Sequence, residues 1–395
     1  MADLVLNPYS YEFHEDPFPI YRRLREEAPA YHNPDLDFWA LSRFDDVFAS
    51  FHDHGTYSSA DGIALETLKM GDDGGTGMMI TMDPPDHTRF RKLVNRAFTP
   101  RRVATMEEEV RRIARGYLED LARRGEADLV GDFAGAFPMD VISAILLVPE
   151  ADRPELRRLS DQMLERVDGK LEMPHEARHA ALELVGYFAD DVPRRRAHPD
   201  DGLISALLEA EMEGERLTDD EVIGFCLLFI VAGSETTTKL LGNALDVLER
   251  NPDQRQAIID DPSAIPGAVD EVLRYRSSTQ YMARRATRDV RLHDETIPEG
   301  GDVVLLIGAA NRDEREFADP DRFDIGRRPE RTLAFGHGAH FCLGAALARM
   351  EGRIALEEIH RLMPDYEIDR DGLKRIHSGN VMGYSRVPVT FTPSG

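Results

Sequence analysis

Cysteine, tryptophan and net positive charge are scarce in this chain, and each scarcity excludes something. Cys226 and Cys342 are the two cysteines among 395 residues, and there is one tryptophan. Two thiols give no disulfide framework, which sets aside the stapled secreted scaffolds and fits a reducing cytoplasm. Lysine and arginine number 48 against 73 aspartates and glutamates, a formal charge of −25. Such a balance argues against general nucleic-acid binding and against attraction to an anionic membrane. Met1–Ser10 is short, mixed and interrupted by Pro8, so it does not read as a signal peptide or an anchor. The longest apolar run, Val222–Gly233, falls below the roughly 18 residues a membrane-spanning helix needs. It reads as a buried core helix, with Cys226 inside it as core. Gly71–Gly77 is glycine-rich but lacks the Lys-Ser/Thr ending of a phosphate loop, and reads as a mobile loop.

What is present is mostly helical pattern. Pro17–Ala28 starts with proline and repeats apolar positions at helical spacing. Further helices are expected over Arg101–Arg124, Pro138–Leu147, Pro174–Arg196, Leu203–Glu211 and about Ala268–Tyr275. The dominant one runs from Leu217 to about Arg250, with Thr218 and Glu221 as a capping box and Leu217 as a staple. Trp39–Leu41, Val290–Leu292 and Val303–Leu306 read as short strands. Length alone would allow two or three domains. With no repeat or low-complexity linker to divide the chain, one helix-rich unit over residues 1–395, mainly α with a small β region, is the expectation.

The most informative stretch is Phe335–Gly344, FGHGAHFCLG, which sets Cys342 in a glycine-rich loop running into a helix over about 343–362. A helix N-terminus carries roughly half a positive charge and free N–H groups, which lower a thiol's pKa and favour a bound thiolate. Gly336, Gly338 and Gly344 can take backbone angles closed to other residues and let a flat ligand approach. Read alone, Cys342 is better taken as a buried structural thiol. The flanking residues favour the ligand. Within the long helix, Ala232-Gly233-Ser234-Glu235-Thr236-Thr237 interrupts the apolar face. A small-residue notch followed by an acid and an alcohol suits oxygen activation at iron, with Glu235 and Thr236 organising water for proton delivery. The plainer reading is a polar patch at a helix crossing. Glu271 and Arg274, three apart, share a helix face, as His87 and Arg91, four apart, also would. Arg101, Arg102, Arg111, Arg112 and Arg115 form a basic cluster in an acidic protein.

Together these segments resemble the cytochrome P450 family over essentially the full chain. F-x-x-G-x-H-x-C-x-G matches the family's haem loop and A-G-x-(D/E)-T-(T/S) its oxygen groove; Glu271-x-x-Arg274 with Pro320-x-Arg322-Phe323 matches its structural network, and His87-x-x-x-Arg91 with Arg284 its propionate partners. The resemblance implies a triangular, mainly α prism and haem b (iron protoporphyrin IX). Cys342 would be the iron ligand, with His87, Arg91, Ala232, Gly233, Arg284, Phe335, His340 and Gly344 around the cofactor. Glu271, Arg274 and Arg322 would serve folding and haem retention. The implied reaction inserts one atom of O2 into a hydrophobic small molecule such as a terpenoid, steroid or polyketide. Glu235 and Thr236 would be catalytic. The pocket would use Leu228, Ala232, Thr279, Gln280 and Met382, with Ile63–Met79 and Met163–Met173 nearby. The chain carries no second cysteine cluster, so electrons are expected from a separate ferredoxin and ferredoxin reductase. The arginine cluster, with Arg349 and Arg353, is the expected docking face. A peroxide-using, isomerising or coupling haem-thiolate enzyme is the alternative, and a haem sensor a third; the intact Glu235-Thr236 pair favours O2.

Overall fold

The computed structural model describes residues 4–70, 77–163 and 174–393, together with 167, 168, 170 and 172. Residues 71–76 and much of 163–173, both expected near the pocket, therefore lie outside the described residues.

Seven helices position the site: α1 (Asp86–Ala97), α2 (Glu107–Leu121), α3 (Phe137–Leu146), α4 (His175–Ala197), α5 (Asp219–Arg250), α6 (Ile265–Tyr275) and α7 (Ala345–Leu362). The largest apolar cluster draws on α1 to α5 and α7, with Phe90, Leu118, Phe137, Leu184, Ile230 and Ile354 among its members. At its centre lies α5, 32 residues long, packed against α3, α4, α6 and α7. A helix apolar on nearly every side is stable only when other elements cover it. The stretches Leu129–Leu146 and Asp219–Arg250 are each long and apolar enough to cross a membrane by composition, and most of each is instead buried in this protein. The start of α5 is fixed by the expected capping box: Glu221 N–H donates to Thr218 Oγ1 at 3.2 Å, and Thr218 N–H to Glu221 Oε2 at 2.8 Å.

One expected helix divides. Arg101–Arg124 becomes a short turn, Pro100–Ala104, capped by Thr99, followed by the separate α2. Three successive glutamates, Glu107 to Glu109, open α2. Acidic side chains favour a helix N-terminus, where the dipole is positive, so the chain restarts there instead of continuing.

Five strands form the main sheet: β1 (Ala30–Asn33), β2 (Phe38–Leu41), β3 (Tyr57–Ser58), β4 (Met282–Ala286) and β5 (Asp302–Leu305). Their order is β1-β2-β5-β4-β3. The β2–β5 pair is parallel and the others are antiparallel. Val303 pairs with both Trp39 and Arg284, which fixes Arg284 in a central strand. A further short strand, β6 (Tyr384–Arg386), lies against α5.

Candidate active site

The cysteine loop is built around two glycines in the left-handed region, Gly336 (φ 64°) and Gly338 (φ 67°). A Cβ on Gly338 would stand 2.3 Å from the Phe51 carbonyl oxygen, so only glycine fits there. Cys342 N–H donates to the Phe335 carbonyl at 2.9 Å and closes the loop. Gly344 is the residue before α7, which begins at Ala345, slightly later than the sequence pattern suggested. Burial pushes the Cys342 thiol up; the Gly344 N–H, Arg91 and Arg349 act in the opposite direction but do not overcome it. The helix end therefore does not by itself make this sulfur a free thiolate. Phe335 is half-buried, with the Arg349 guanidinium 4.6 Å from its ring centroid. Phe341 is 41% exposed, a large apolar side chain at the surface beside the cysteine.

Next to this loop four basic side chains converge. The His87 and His340 rings lie 4.1 Å apart. Arg91 Nη2 donates to the Phe341 carbonyl at 2.9 Å. Arg284 is buried on β4 and donates to the carbonyl of its own neighbour, Ala283. Neither ring nitrogen of His87 has a hydrogen-bond partner although both are buried. Burial first, and then repulsion from neighbouring basic groups, hold the two histidines toward neutrality. His87 is lowered to about 4, with Arg91 contributing, and His340 to about 3, with Arg284, His87 and Arg91 contributing. Burial brings Arg284 down to about 10. Burying four basic groups together, with both His87 nitrogens unpartnered, is unfavourable unless they face something anionic.

The second half of the site is the middle of α5. Ala232 is exposed, and Leu228, Val231 and Thr236 are half-buried, although most of this helix is fully buried. An open face at the centre of a core helix marks a cavity above it. Three hydroxyls bond back one turn: Ser234 to the Ile230 carbonyl, Thr236 to Ala232 (2.6 Å) and Thr238 to Ser234. Gly233 has a different purpose from the open notch expected of it. A Cβ there would meet Ile142 Cδ1 at 2.6 Å, so this glycine lets α3 approach α5. Glu235 is buried and paired with Lys239, one turn on, at 2.9 Å.

The network around Glu271 needs one correction. Glu271 and Arg274 form a bidentate pair, both contacts 2.8 Å, and Arg274 also donates to the carbonyls of Asn311, Pro320 and Arg322. Arg322 contributes that carbonyl alone: its side chain is 63% exposed and reaches Asp324 only at 3.9 Å. Arg327 takes the expected place, with Nε 3.3 Å from Glu271 Oε1 and further bonds to Ala318, Asp319 and Arg322 carbonyls. The signal missed was a basic residue a few positions beyond P-x-R-F.

Among the pocket residues, Leu228, Ala232 and Thr279 are accessible, and Thr279 forms an isolated bridge with Val381. Met382 is buried with its N–H on the Ser278 carbonyl. Gln280 is not available to a ligand. Its amide is buried between Tyr21, whose hydroxyl donates to Oε1 at 3.1 Å, and the Ser277 carbonyl, which accepts from Nε2. Five of the seven expected docking arginines are also paired with acids within the chain. Arg111 pairs with Glu107, Glu357 and Glu358, Arg115 with Glu358, and Arg353 with Glu107 and Glu357, which ties α2 to α7. Arg112 pairs with Glu109 and Arg349 with Asp270.

Comparison with known proteins agrees with this geometry. A sequence model of the family described as Cytochrome P450 matches residues 264–362, which hold the Glu271 network and the cysteine loop. Cytochrome P450 123 of Mycobacterium tuberculosis is 46% identical over 98% of this chain and 97% of its own. The vitamin D(3) 25-hydroxylase of Pseudonocardia autotrophica is 39% identical over 98% and 96%. The chain belongs to the cytochrome P450 family. Among solved P450 structures, CYP109Q5 from Chondromyces apiculatus superposes with a TM-score of 0.89, 33% identity and 98% coverage of both chains. CYP109E1 from Bacillus megaterium in complex with corticosterone gives 0.85, 33%, and 96% and 100% coverage. Cytochrome P450s are monooxygenases that bind haem through a cysteine thiolate, so this chain is a haem-dependent oxidoreductase. The residues fit that group. The unpartnered His87 nitrogens and the converging Arg91, Arg284 and His340 are suited to two propionates, and Cys226, the other free cysteine, is buried in the α5 core.

Proposed function

We propose that the chain, acting as one catalytic unit, inserts an oxygen atom from O2 into a rigid hydrophobic molecule of the steroid or polyketide kind. The cluster of His87, Arg91, Arg284 and His340 beside Cys342 carries this reading, because it is a costly arrangement that only an anionic, buried partner rationalises. Cys342 would ligate the iron, and the four basic groups would hold the propionates. Bound haem supplies the O2 chemistry, with the thiolate favouring O–O cleavage. Ala232 leaves room over the open face of α5. Thr236, hydrogen-bonded at the Ala232 carbonyl, holds a hydroxyl at the edge of that space. Glu235 would relay protons to that hydroxyl, each proton it releases being replaced by one taken up from outside the site. Glu271, Arg274 and Arg327 brace the segment before the cysteine loop.

Substrate class is supported by relatives: the similarity to a vitamin D(3) 25-hydroxylase and to an enzyme solved with corticosterone favours steroids. The half-buried Met78, Ile80 and Met82 and the accessible Leu228 give an adaptable apolar wall. We also propose a soluble, cytoplasmic enzyme that takes its electrons from a separate ferredoxin and reductase. The self-neutralised arginines of α2 and α7 leave docking there to the exposed Phe341 and its surroundings more than to salt bridges. A spectral titration of the ferric holoprotein against steroids, terpenoids, macrolides, fatty acids and small aromatics tests the reading. A low-to-high-spin Soret shift with steroids supports it. A shift with fatty acids alone reassigns the substrate, and purified protein that takes up no haem overturns the site.

A further inference from the structure

Glu235 and Lys239 lie one turn apart on α5, both almost fully buried, with Nζ 2.9 Å from Oε1. The lysine is held from its other side. Its stem crosses Gly383, where an added Cβ would stand 2.6 Å from Lys239 Cβ, and its ammonium donates to the Tyr384 carbonyl of β6 at 3.3 Å. The acid and its counter-charge therefore come from one helix, and the loop before β6 decides where the counter-charge sits. A buried ammonium and a buried carboxylate each need the other, because losing either strands a charge away from water. The other ionisable groups packed at this level of α5 are committed elsewhere or uncharged. The Tyr384 hydroxyl donates to Asp246 and accepts from Arg276, and Glu351 of α7 stands beside Thr237 with its carboxyl pushed toward the protonated form by burial. From α3, Ile142 closes the Gly233 side.

We infer that Lys239 is a positioning residue for proton delivery: by pairing with Glu235 it fixes that carboxyl group one turn from the reacting face. The inference rests on the reading of Glu235 as the proton-delivering acid. Without Lys239, Glu235 is buried without a cation, and the physical expectation is a neutral carboxylic acid.

The test is Lys239→Met in the ferric holoprotein, read by infrared difference spectroscopy and by pH profile. At neutral pH the variant should gain a protonated-carboxyl stretch that disappears in the Lys239→Met/Glu235→Gln double variant. The acid limb of coupled turnover should move to higher pH, with turnover at pH 7 down roughly tenfold or more and the substrate spin-shift affinity unchanged. Gly383→Ala displaces the lysine stem without altering any charge, so it should give the same shift in weaker form, and it serves if Lys239→Met does not fold. Variants that fold, gain no such band and keep the wild-type acid limb would reduce Lys239 to a packing residue and overturn the inference. The failure of the underlying reading looks different: Glu235→Gln alone would then retain full coupled turnover, whatever the lysine does.

Discussion

Arg327 Nε lies 3.3 Å from Glu271 Oε1, while the Arg322 side chain points to solvent. Arg274 and Arg327 thus share one buried carboxylate, and they tie α6 to the 318–322 segment through backbone carbonyls. Removing Arg274 strands Glu271 in the core and should cost about 3–5 kcal/mol. Arg327→Ala should cost about 1.5–3 kcal/mol, since hydrogen bonds to charged groups are worth that much. Arg322→Ala should stay within about 0.5 kcal/mol of wild type, as exposed substitutions do. Thermal unfolding and the rate of haem loss would rank the three variants, and an Arg322 effect equal to that of Arg327 would contradict the assignment.

Two glycines of the cysteine loop should respond in opposite ways. Gly338 combines a φ of 67° with a Cβ position 2.3 Å from the Phe51 carbonyl. Gly338→Ala should therefore cost about 1–3 kcal/mol or more and impair haem uptake. Around Gly344 the nearest atom to an added Cβ is Cys342 Sγ at 4.0 Å, an ordinary contact. Gly344→Ala should fold and take up haem. Holoprotein yield after expression with excess haem separates them.

Glu351 should make stability depend on pH. Both its carboxyl oxygens are buried without hydrogen-bond partners, and burial raises its pKa well above 4.5. The folded state thus keeps this proton to higher pH than the unfolded chain does. Its contribution to stability is complete below about pH 4.5 and is lost progressively as pH rises toward the folded value. Glu351→Gln keeps the shape and does not titrate. It should flatten the decline of stability between pH 5 and 8 and be more stable than wild type at the alkaline end. Urea unfolding at several pH values checks this, and parallel slopes for the two proteins would rule it out.

Ala232 should set how large a ligand the site accepts. Its exposure within a mostly buried helix is the clearest sign of open space above α5. Ala232→Phe adds a ring to that space without touching the core. Steroid-induced spin shifts should weaken at least tenfold (roughly 1.4 kcal/mol), while small aromatics lose less. Equal losses for both would place the ligand elsewhere.

Much of this protein was legible in its amino acids because the signals were local. The capping box at Thr218 and Glu221, the left-handed Gly336 and Gly338 before Cys342 and the Glu271–Arg274 spacing all depend on neighbours in sequence, and they stand where the pattern put them, whereas Gly344 takes ordinary backbone angles (φ −83°). The family, fold and cofactor follow from those motifs. What the tertiary structure alone decided involves partners far apart in the chain. Arg327 displaced Arg322 because the turn after Pro320 aims one guanidinium inward and the other at water. Gln280 left the pocket because Tyr21, distant in sequence, occupies its amide. The arginines of α2 ceased to be a free basic patch because α7 lays Glu357 and Glu358 against them. Charge in a sequence is a count; its electrostatic effect depends on what the fold brings within a few ångströms, and no spacing rule along one segment encodes that distance.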